Sequence, residues 1–218
     1  MINIALDGPA GAGKSTVAKL LSKKLDILYL DTGAMYRACA VKCLSLNIDT
    51  LDEKGVETFI NDIDLKVEYE NGAQKTILDG VDVSKKIREP HVSMHASNIS
   101  SLKCVRLKMV DLQREIAKNT SCVLDGRDIG SFVLPKAKYK FYVTADSKVR
   151  AKRRFDELTE KGHKVDFDEL LKEIEQRDYN DKNRDFAPLK KADDAIVIDT
   201  TSMGIEEVVN SILERIKE

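Results

Sequence analysis

The sequence predicts a three-layer α/β fold, a parallel β-sheet core between helices with a small β-rich insertion. Three observations predict it. A short apolar run, Ile2-Asn3-Ile4-Ala5-Leu6-Asp7, leads into a glycine-rich loop and then into a stretch with helical period. Further strand-length apolar runs alternate with helix-length segments along the chain, as they do when parallel strands are joined by crossovers. Between about residues 63 and 90 this alternation gives way to closely spaced short strands and turns.

The glycine-rich loop is the strongest chemical signal. Gly8-Pro9-Ala10-Gly11-Ala12-Gly13-Lys14-Ser15-Thr16 fits G-x-x-x-x-G-K-[ST], the phosphate-binding loop, or P-loop, of nucleotide-using enzymes. Its glycines let successive N–H groups point at one anion. Lys14 adds a point charge within reach of β and γ phosphates, and the Ser15 hydroxyl is placed to ligate Mg2+. A helix beginning near Gly13 would aim its positive end at the same spot. Val17, Leu20, Leu21 and Leu25 fall at helical spacing directly afterwards, so strand, loop and helix come in the required order.

Leu28-Tyr29-Leu30 reads as a second strand, followed by a helix from Ala34 to about Leu46 with Thr32 as N-cap. Met35, Ala38, Cys39 and Cys43 form its expected buried stripe. Residues 52 to 62 read as another helix. Asp64 to Tyr69 then alternates, Glu70-Asn71-Gly72 is turn chemistry, Thr76-Ile77-Leu78 is extended, and Asp79-Gly80 turns again before Val81-Asp82-Val83. Pro90 closes this antiparallel meander. Helices are expected over about 91–100 and 102–118, then a buried strand from Ser121 to Asp125 that runs into Gly126-Arg127-Asp128-Ile129-Gly130. Parallel sheets place ligands at the carboxyl ends of their strands, which brings Asp125, Arg127 and Asp128 beside the loop. Residues 139–143 and 195–198 are the remaining strands, and a last helix runs from about 204 to 217.

At 218 residues, 42% hydrophobic and 33% charged, the chain suits one large domain or a core with a small insertion. A net charge of -1 argues against a nucleic-acid partner. No stretch approaches the ~20 apolar residues that span a bilayer. The N-terminus lacks the basic region of a signal peptide, so a cytoplasmic location is expected. Cys39, Cys43, Cys104 and Cys122 show no C-x-x-C spacing and read as packed free thiols. No heptad seam is visible, and a monomer is expected.

Two charged constellations suggest chemistry. Lys148, Arg150, Lys152, Arg153 and Arg154 crowd the start of a helix with no acid among them. Phosphoryl transfer depends on cations around the moving group. In the next helix Phe167, Leu170, Leu171 and Ile174 make an apolar stripe that continues at i+3 and i+4 as Arg177, Asp181 and Arg184. A helix that leaves a core and enters a cleft changes character in this way, although a run of surface ion pairs has the same spacing.

Several blocks match one family in order. They are residues 4–16, Leu30-Asp31-Thr32-Gly33-Ala34-Met35-Tyr36-Arg37, Asp82-Val83-Ser84 with Ile87-Arg88, residues 125–130, and Arg177-Asp178 through Asp181, Asn183-Arg184 and Ala187-Pro188-Leu189. On these residues the chain resembles the bacterial cytidylate kinases, which move a phosphoryl group from ATP to CMP or dCMP. The D-[ST]-G-A-x-Y-R and D-G-R-D-x-G blocks are the specific ones. The resemblance implies ATP and Mg2+, with Gly8, Pro9, Ala10, Gly11, Ala12, Gly13, Lys14, Ser15 and Thr16 on the ATP phosphates. It places Thr32, Tyr36 and Arg37 on the CMP side, Ser97, Arg106 and Asp128 at cytosine, Arg127 on phosphate, and Arg177 and Asp181 at the ribose. Lys14, Arg154 and Arg184 are the implied catalytic cations. One P-loop kinase domain over 1–218 is implied: a core of about 1–50, 91–145 and 186–218, a monophosphate-binding insertion at about 63–90 and a lid at about 146–165. Neither membrane nor nucleic acid is an implied partner. A carboxylate such as Asp128 suits cytosine, whose N4 amino group donates, and repels the O4 of uracil. A uridylate or shikimate-type kinase on the same scaffold is the alternative. A GTPase switch would need N-K-x-D, and 181–185 holds those letters in the wrong order.

Overall fold

The computed structural model describes residues 1–70 and 72–217. In chain order it contains β1 (Asn3–Asp7), α1 (Lys14–Leu25), β2 (Leu28–Asp31), α2 (Thr32–Ser45), α3 (Glu53–Ile60), β3 (Leu65–Glu70), β4 (Ala73–Leu78) and β5 (Val81–Asp82). These are followed by α4 (Val92–Ile99), α5 (Lys103–Asn119), β6 (Cys122–Gly126), β7 (Tyr139–Thr144), α6 (Ser147–Glu160), α7 (Phe167–Asn183), β8 (Ile196–Asp199) and α8 (Ile205–Lys217). The expected strands and helices are present with ends displaced by up to three residues, β4 beginning at Ala73 where Thr76 was expected. Asn71, in the expected turn at 70–72, lies outside the described residues.

Five strands form one sheet in the order β2-β6-β1-β7-β8. β1 runs parallel to β7 with Ile4 opposite Tyr139 and Asp7 opposite Tyr142, and β7 runs parallel to β8. Ile4, Ala5 and Leu6 of β1 and Cys122, Val123 and Leu124 of β6 are wholly buried. Such unbroken apolar runs belong to parallel strands covered on both faces. From β1 the chain leaves toward β2, whereas from β6 it crosses to β7. The connections therefore run in opposite directions from β1 and from β6, and the crevice at the carboxyl ends of these two strands, where Asp7 and Asp125 stand, is where an open α/β sheet binds its ligand.

The chain divides into two compact units, Leu28–Cys122 with Met1, and Ile2–Ile27 with Val123–Glu218. In the first, β3, β4 and β5 form a separate antiparallel sheet, Leu65 opposite Leu78 and Ile77 opposite Asp82. Its α2 buries Met35, Ala38, Cys39 and Cys43, as their spacing predicts. The helix cap differs from the expectation. Asp31, not Thr32, caps α2: its backbone is extended and its carboxylate accepts from the Ala34 N–H at 2.9 Å, while Thr32 is already helical. An aspartate one position upstream reaches the same orphan donor and adds the charge that a helix N-terminus favours.

In the second unit α1 begins at Lys14, and Gly13 before it is left-handed with φ 87°. Gly8, with φ 143°, lies so close to β7 that an added Cβ would stand 1.9 Å from the Val143 carbonyl oxygen. Only backbone movement could relieve that contact. Gly8→Ala is expected to destabilise the protein by about 3 kcal/mol or more in urea unfolding. A loss below about 1 kcal/mol would contradict this packing of the loop on β7. Farther along, Ala151 and Leu158 of α6 pack with Leu170 and Ile174 of α7. Phe155 and Phe167 meet edge to face beside them, with ring centroids 6.1 Å apart.

Candidate active site

The phosphate loop belongs to the second unit, and its lysine is turned inward. Lys14 is 6% exposed and its Nζ donates to the Pro9 carbonyl at 2.7 Å. Burial pushes the Lys14 ammonium down to about 7, and Arg127 adds to the fall, while Asp125, Asp7 and Asp181 oppose it. The Ser15 hydroxyl donates to Asp125 Oδ2 at 2.6 Å. Two hard oxygen donors thus lie side by side at the first turn of α1, a donor set that fits Mg2+, which takes few protein ligands and keeps its waters. Behind them Asp7 accepts from the N–H groups of Ile129 and Gly130, both at 2.7 Å, and fixes the turn after β6. Burial pushes the Asp7 carboxyl up to about 6 despite those two bonds.

A buried cluster of charge follows. Arg127 Nε donates to Asp181 Oδ2 at 2.7 Å, and both side chains are largely shielded from water. Burial works to raise the Asp181 pKa, but Arg127, Arg177 and Arg184 outweigh it and hold this carboxyl below the ordinary aspartate value. Arg184, just past the end of α7, donates from Nε to the Ala187 carbonyl at 2.7 Å. Its Nη2 lies 3.5 Å from Asp128 Oδ1, and both of these side chains are buried. The charged continuation of the α7 stripe is therefore an internal cluster and not a row of surface pairs. Arg154 differs. Its Nη1 donates to Glu157 Oε2 at 2.8 Å within α6, at the surface, and the structure does not bring it into this cluster.

The first unit holds Thr32, Tyr36, Arg37, Ser97 and Arg106. Thr32 and Tyr36 are buried one turn apart on α2. The Arg106 guanidinium, 1% exposed, lies 5.2 Å from the centre of the Tyr36 ring and donates to the Ser100 carbonyl at 3.2 Å. Arg37 donates to the Ile87 carbonyl and to Ser93 Oγ at 3.2 and 2.9 Å. Ser97 is half-buried on α4. Asp31, next to Thr32, accepts from Arg88 at 2.5 Å, and its main chain exchanges two hydrogen bonds with the Gln74 amide of β4.

Sequence reasoning missed Asp178, Arg150, Asp7 and Gln74 as site-building residues. Asp178 was within reach. From Leu170 and Ile174 the stripe can continue to Arg177 or to Asp178, and the buried branch is Leu170, Ile174, Asp178, Asp181. Arg150 was hidden in a basic run whose other members are exposed or half-buried.

The cytidylate kinase family model matches residues 4–218. The chain belongs to the cytidylate kinase family. It is 52% identical over 213 residues to a cytidylate kinase of Caldicellulosiruptor saccharolyticus, covering 98% of this chain and 94% of that one. A cytidylate kinase of Lactobacillus johnsonii is 46% identical over 218 residues, covering 100% of this chain and 95% of that one. Among solved structures, an uncharacterized protein from Eubacterium ventriosum superposes with a TM-score of 0.54 at 15% identity, over 100% of this chain and 99% of that one, a likeness of fold. Among the described residues, no helix is long and apolar enough to cross a membrane.

Proposed function

We propose that the protein transfers the γ-phosphoryl group of ATP to CMP or dCMP, giving CDP or dCDP and ADP. Family membership supports the reading, and the observation that carries it is the buried Arg127–Asp181 pair, electrostatically coupled to Lys14 of the phosphate loop. Phosphoryl transfer asks for positioning and charge stabilisation and little covalent chemistry. Residues 8–16 bind the ATP phosphates, with backbone N–H groups donated by all but Pro9, and Lys14 leaves the Pro9 carbonyl to reach them. Ser15 and Asp125 would hold Mg2+, directly or through its waters, and the chemistry it supplies there is neutralisation of phosphate charge.

On the monophosphate side Thr32, Tyr36 and Arg37 bind CMP, with Ser97, Arg106 and Asp128 at cytosine. Arg127 binds phosphate, and Arg177 and Asp181 hold the ribose. Arg184 closes on the transferring group. Arg154 joins it by exchanging Glu157 for phosphate as the lid at about 146–165 closes. The insertion at about 63–90 belongs to the monophosphate-binding side. The protein acts as a cytoplasmic monomer on small molecules and needs no nucleic acid.

Base selectivity tests the reading. Wild-type enzyme is expected to use CMP and dCMP well and UMP poorly, because the Asp128 carboxylate accepts from cytosine N4 and repels uracil O4. Asp128→Ala is expected to narrow the CMP-to-UMP ratio of kcat/KM by about tenfold, the value of one good base contact. Turnover of both should also fall, since Arg184 loses the Asp128 carboxylate beside its Nη2. Equal wild-type use of UMP and CMP, or unchanged selectivity in the variant, would contradict the assignment.

A further inference from the structure

The carbonyls of the phosphate loop carry a pattern that the family match does not explain. A loop whose N–H groups converge on an anion turns its C=O groups the other way, and buried carbonyls need donors. Three are supplied within the second unit. Lys14 Nζ donates to Pro9 O at 2.7 Å, Arg150 Nη1 to Ala10 O at 2.9 Å, and Thr200 Oγ1 to Ala12 O at 3.4 Å. The first hold is released when Lys14 turns to phosphate. The Arg150 hold is not free to follow, because that guanidinium is fixed on every side.

Arg150 is 4% exposed. Besides Ala10 it donates from Nε to the Ala145 carbonyl at 2.9 Å, at the base of α6, and from Nη2 to Asp178 Oδ2 on α7 at 2.6 Å. Gly11 lies against it, so that an added Cβ there would come 3.2 Å from the Arg150 Cβ. Asp178 is itself 9% exposed, and its Oδ1 has no hydrogen-bond partner among the described residues. It follows Arg177 directly and stands one helical turn before Asp181. We propose that Arg150 is a positioning residue for the kinase reaction, fixing the Ala10–Gly11 turn of the phosphate loop to α7 through Asp178 so that the loop is set for ATP before ATP arrives. The proposal rests on the assignment of that loop to ATP. Preset donors bind more tightly because they lose less freedom on binding.

The pair also allows structure and function to be separated. Arg150→Met leaves the Asp178 carboxylate buried without its counter-ion, which destabilises a protein strongly, whereas removing both charges relieves that cost. Arg150→Met is therefore expected to lower the melting temperature and to weaken ATP binding. Arg150→Met/Asp178→Asn is expected to recover the melting temperature but not the binding. Calorimetric titration with ATP in the absence of CMP should show about tenfold weaker binding in both variants, the size of one charge-assisted hydrogen bond. In steady state KM for ATP should rise in parallel, while KM for CMP stays within about twofold of wild type, as expected for a contact made to one substrate's site. If Arg150→Met does not fold, the double variant carries the test. Wild-type ATP affinity in the folded double variant, or an equal rise of both KM values, overturns the proposal. A wild-type protein that does not bind ATP overturns the loop assignment itself, so the two failures are distinguishable.

Discussion

Lys14→Met is expected to lower kcat at least about 100-fold while the melting temperature stays the same or rises, since one preorganised charge at the reacting group is worth that much. The two halves of the expectation have one cause. Lys14 is buried, and burial together with Arg127 pushes its ammonium down to about 7. The folded protein without nucleotide therefore bears a cost for keeping the charge there, offset only in part by the Pro9 carbonyl and three carboxylates. Methionine has similar length and no such cost. With ATP bound, the phosphate charge removes the penalty and lifts the pKa of Lys14, so that it stays protonated through the transfer. A proton is then taken up on ATP binding above about pH 7, which calorimetry in buffers of different ionisation enthalpy detects. Turnover within about tenfold of wild type in a folded Lys14→Met protein would remove the lysine from the account.

Asp181→Asn is expected to weaken CMP binding and to slow turnover by about 100-fold, with the pH–rate profile unchanged in shape. A carboxylate in a kinase cleft invites assignment as a general base. The nucleophile here is a phosphate oxygen of CMP, whose second pKa is near ~6, so it is already largely deprotonated at neutral pH. Asp181 is also a poor base. Against burial, Arg127, Arg177 and Arg184 hold its pKa below the ordinary aspartate value, and it is ionised throughout the working range. A lowered carboxyl pKa contributes stability at neutral pH that is lost only as pH falls from the ordinary aspartate value through the folded one. Asparagine keeps an oxygen and the shape but leaves Arg127 buried without its counter-ion, so some stability is lost at pH 7 as well. The acidic limb of kcat/KM near ~6 belongs to CMP and should survive in the variant. Disappearance of that limb from folded Asp181→Asn protein would make Asp181 the base.

How much of this was legible in the sequence depended on whether the signal was local. The order strand, glycine loop, helix needs only neighbours, and β1, the loop and α1 stand where residues 2 to 25 place them. The antiparallel sheet was legible for the same reason, since alternation and turn residues are local features. The α2 cap was misplaced by one residue because Asp31 and Thr32 are both good caps, and only the extended backbone at Asp31 decides between them. The α7 stripe forks after Ile174, and composition cannot say which branch is buried. The pairing of Asp178 with Arg150, 28 residues away, decides it. Arg150 and Asp178 were illegible for a deeper reason. Each looks like a surface residue on its own helix, and each is buried only because the other, with the Ala10 carbonyl, supplies its partner.

The central claim is transfer from ATP to a cytidine monophosphate, and the most direct measurement follows the transferred group itself. Wild-type protein is incubated with MgATP labelled at the γ-phosphate and, in separate reactions, with CMP, dCMP, UMP, AMP or shikimate, and the labelled products are resolved by chromatography. The account predicts label in the β-phosphate of CDP and dCDP at comparable initial rates, UDP at least about tenfold slower, as a mispaired base contact requires, and none in ADP formed from AMP or in a shikimate ester. Label that appears chiefly in UDP or in the shikimate ester, or that is released as inorganic phosphate whichever acceptor is present, would contradict it.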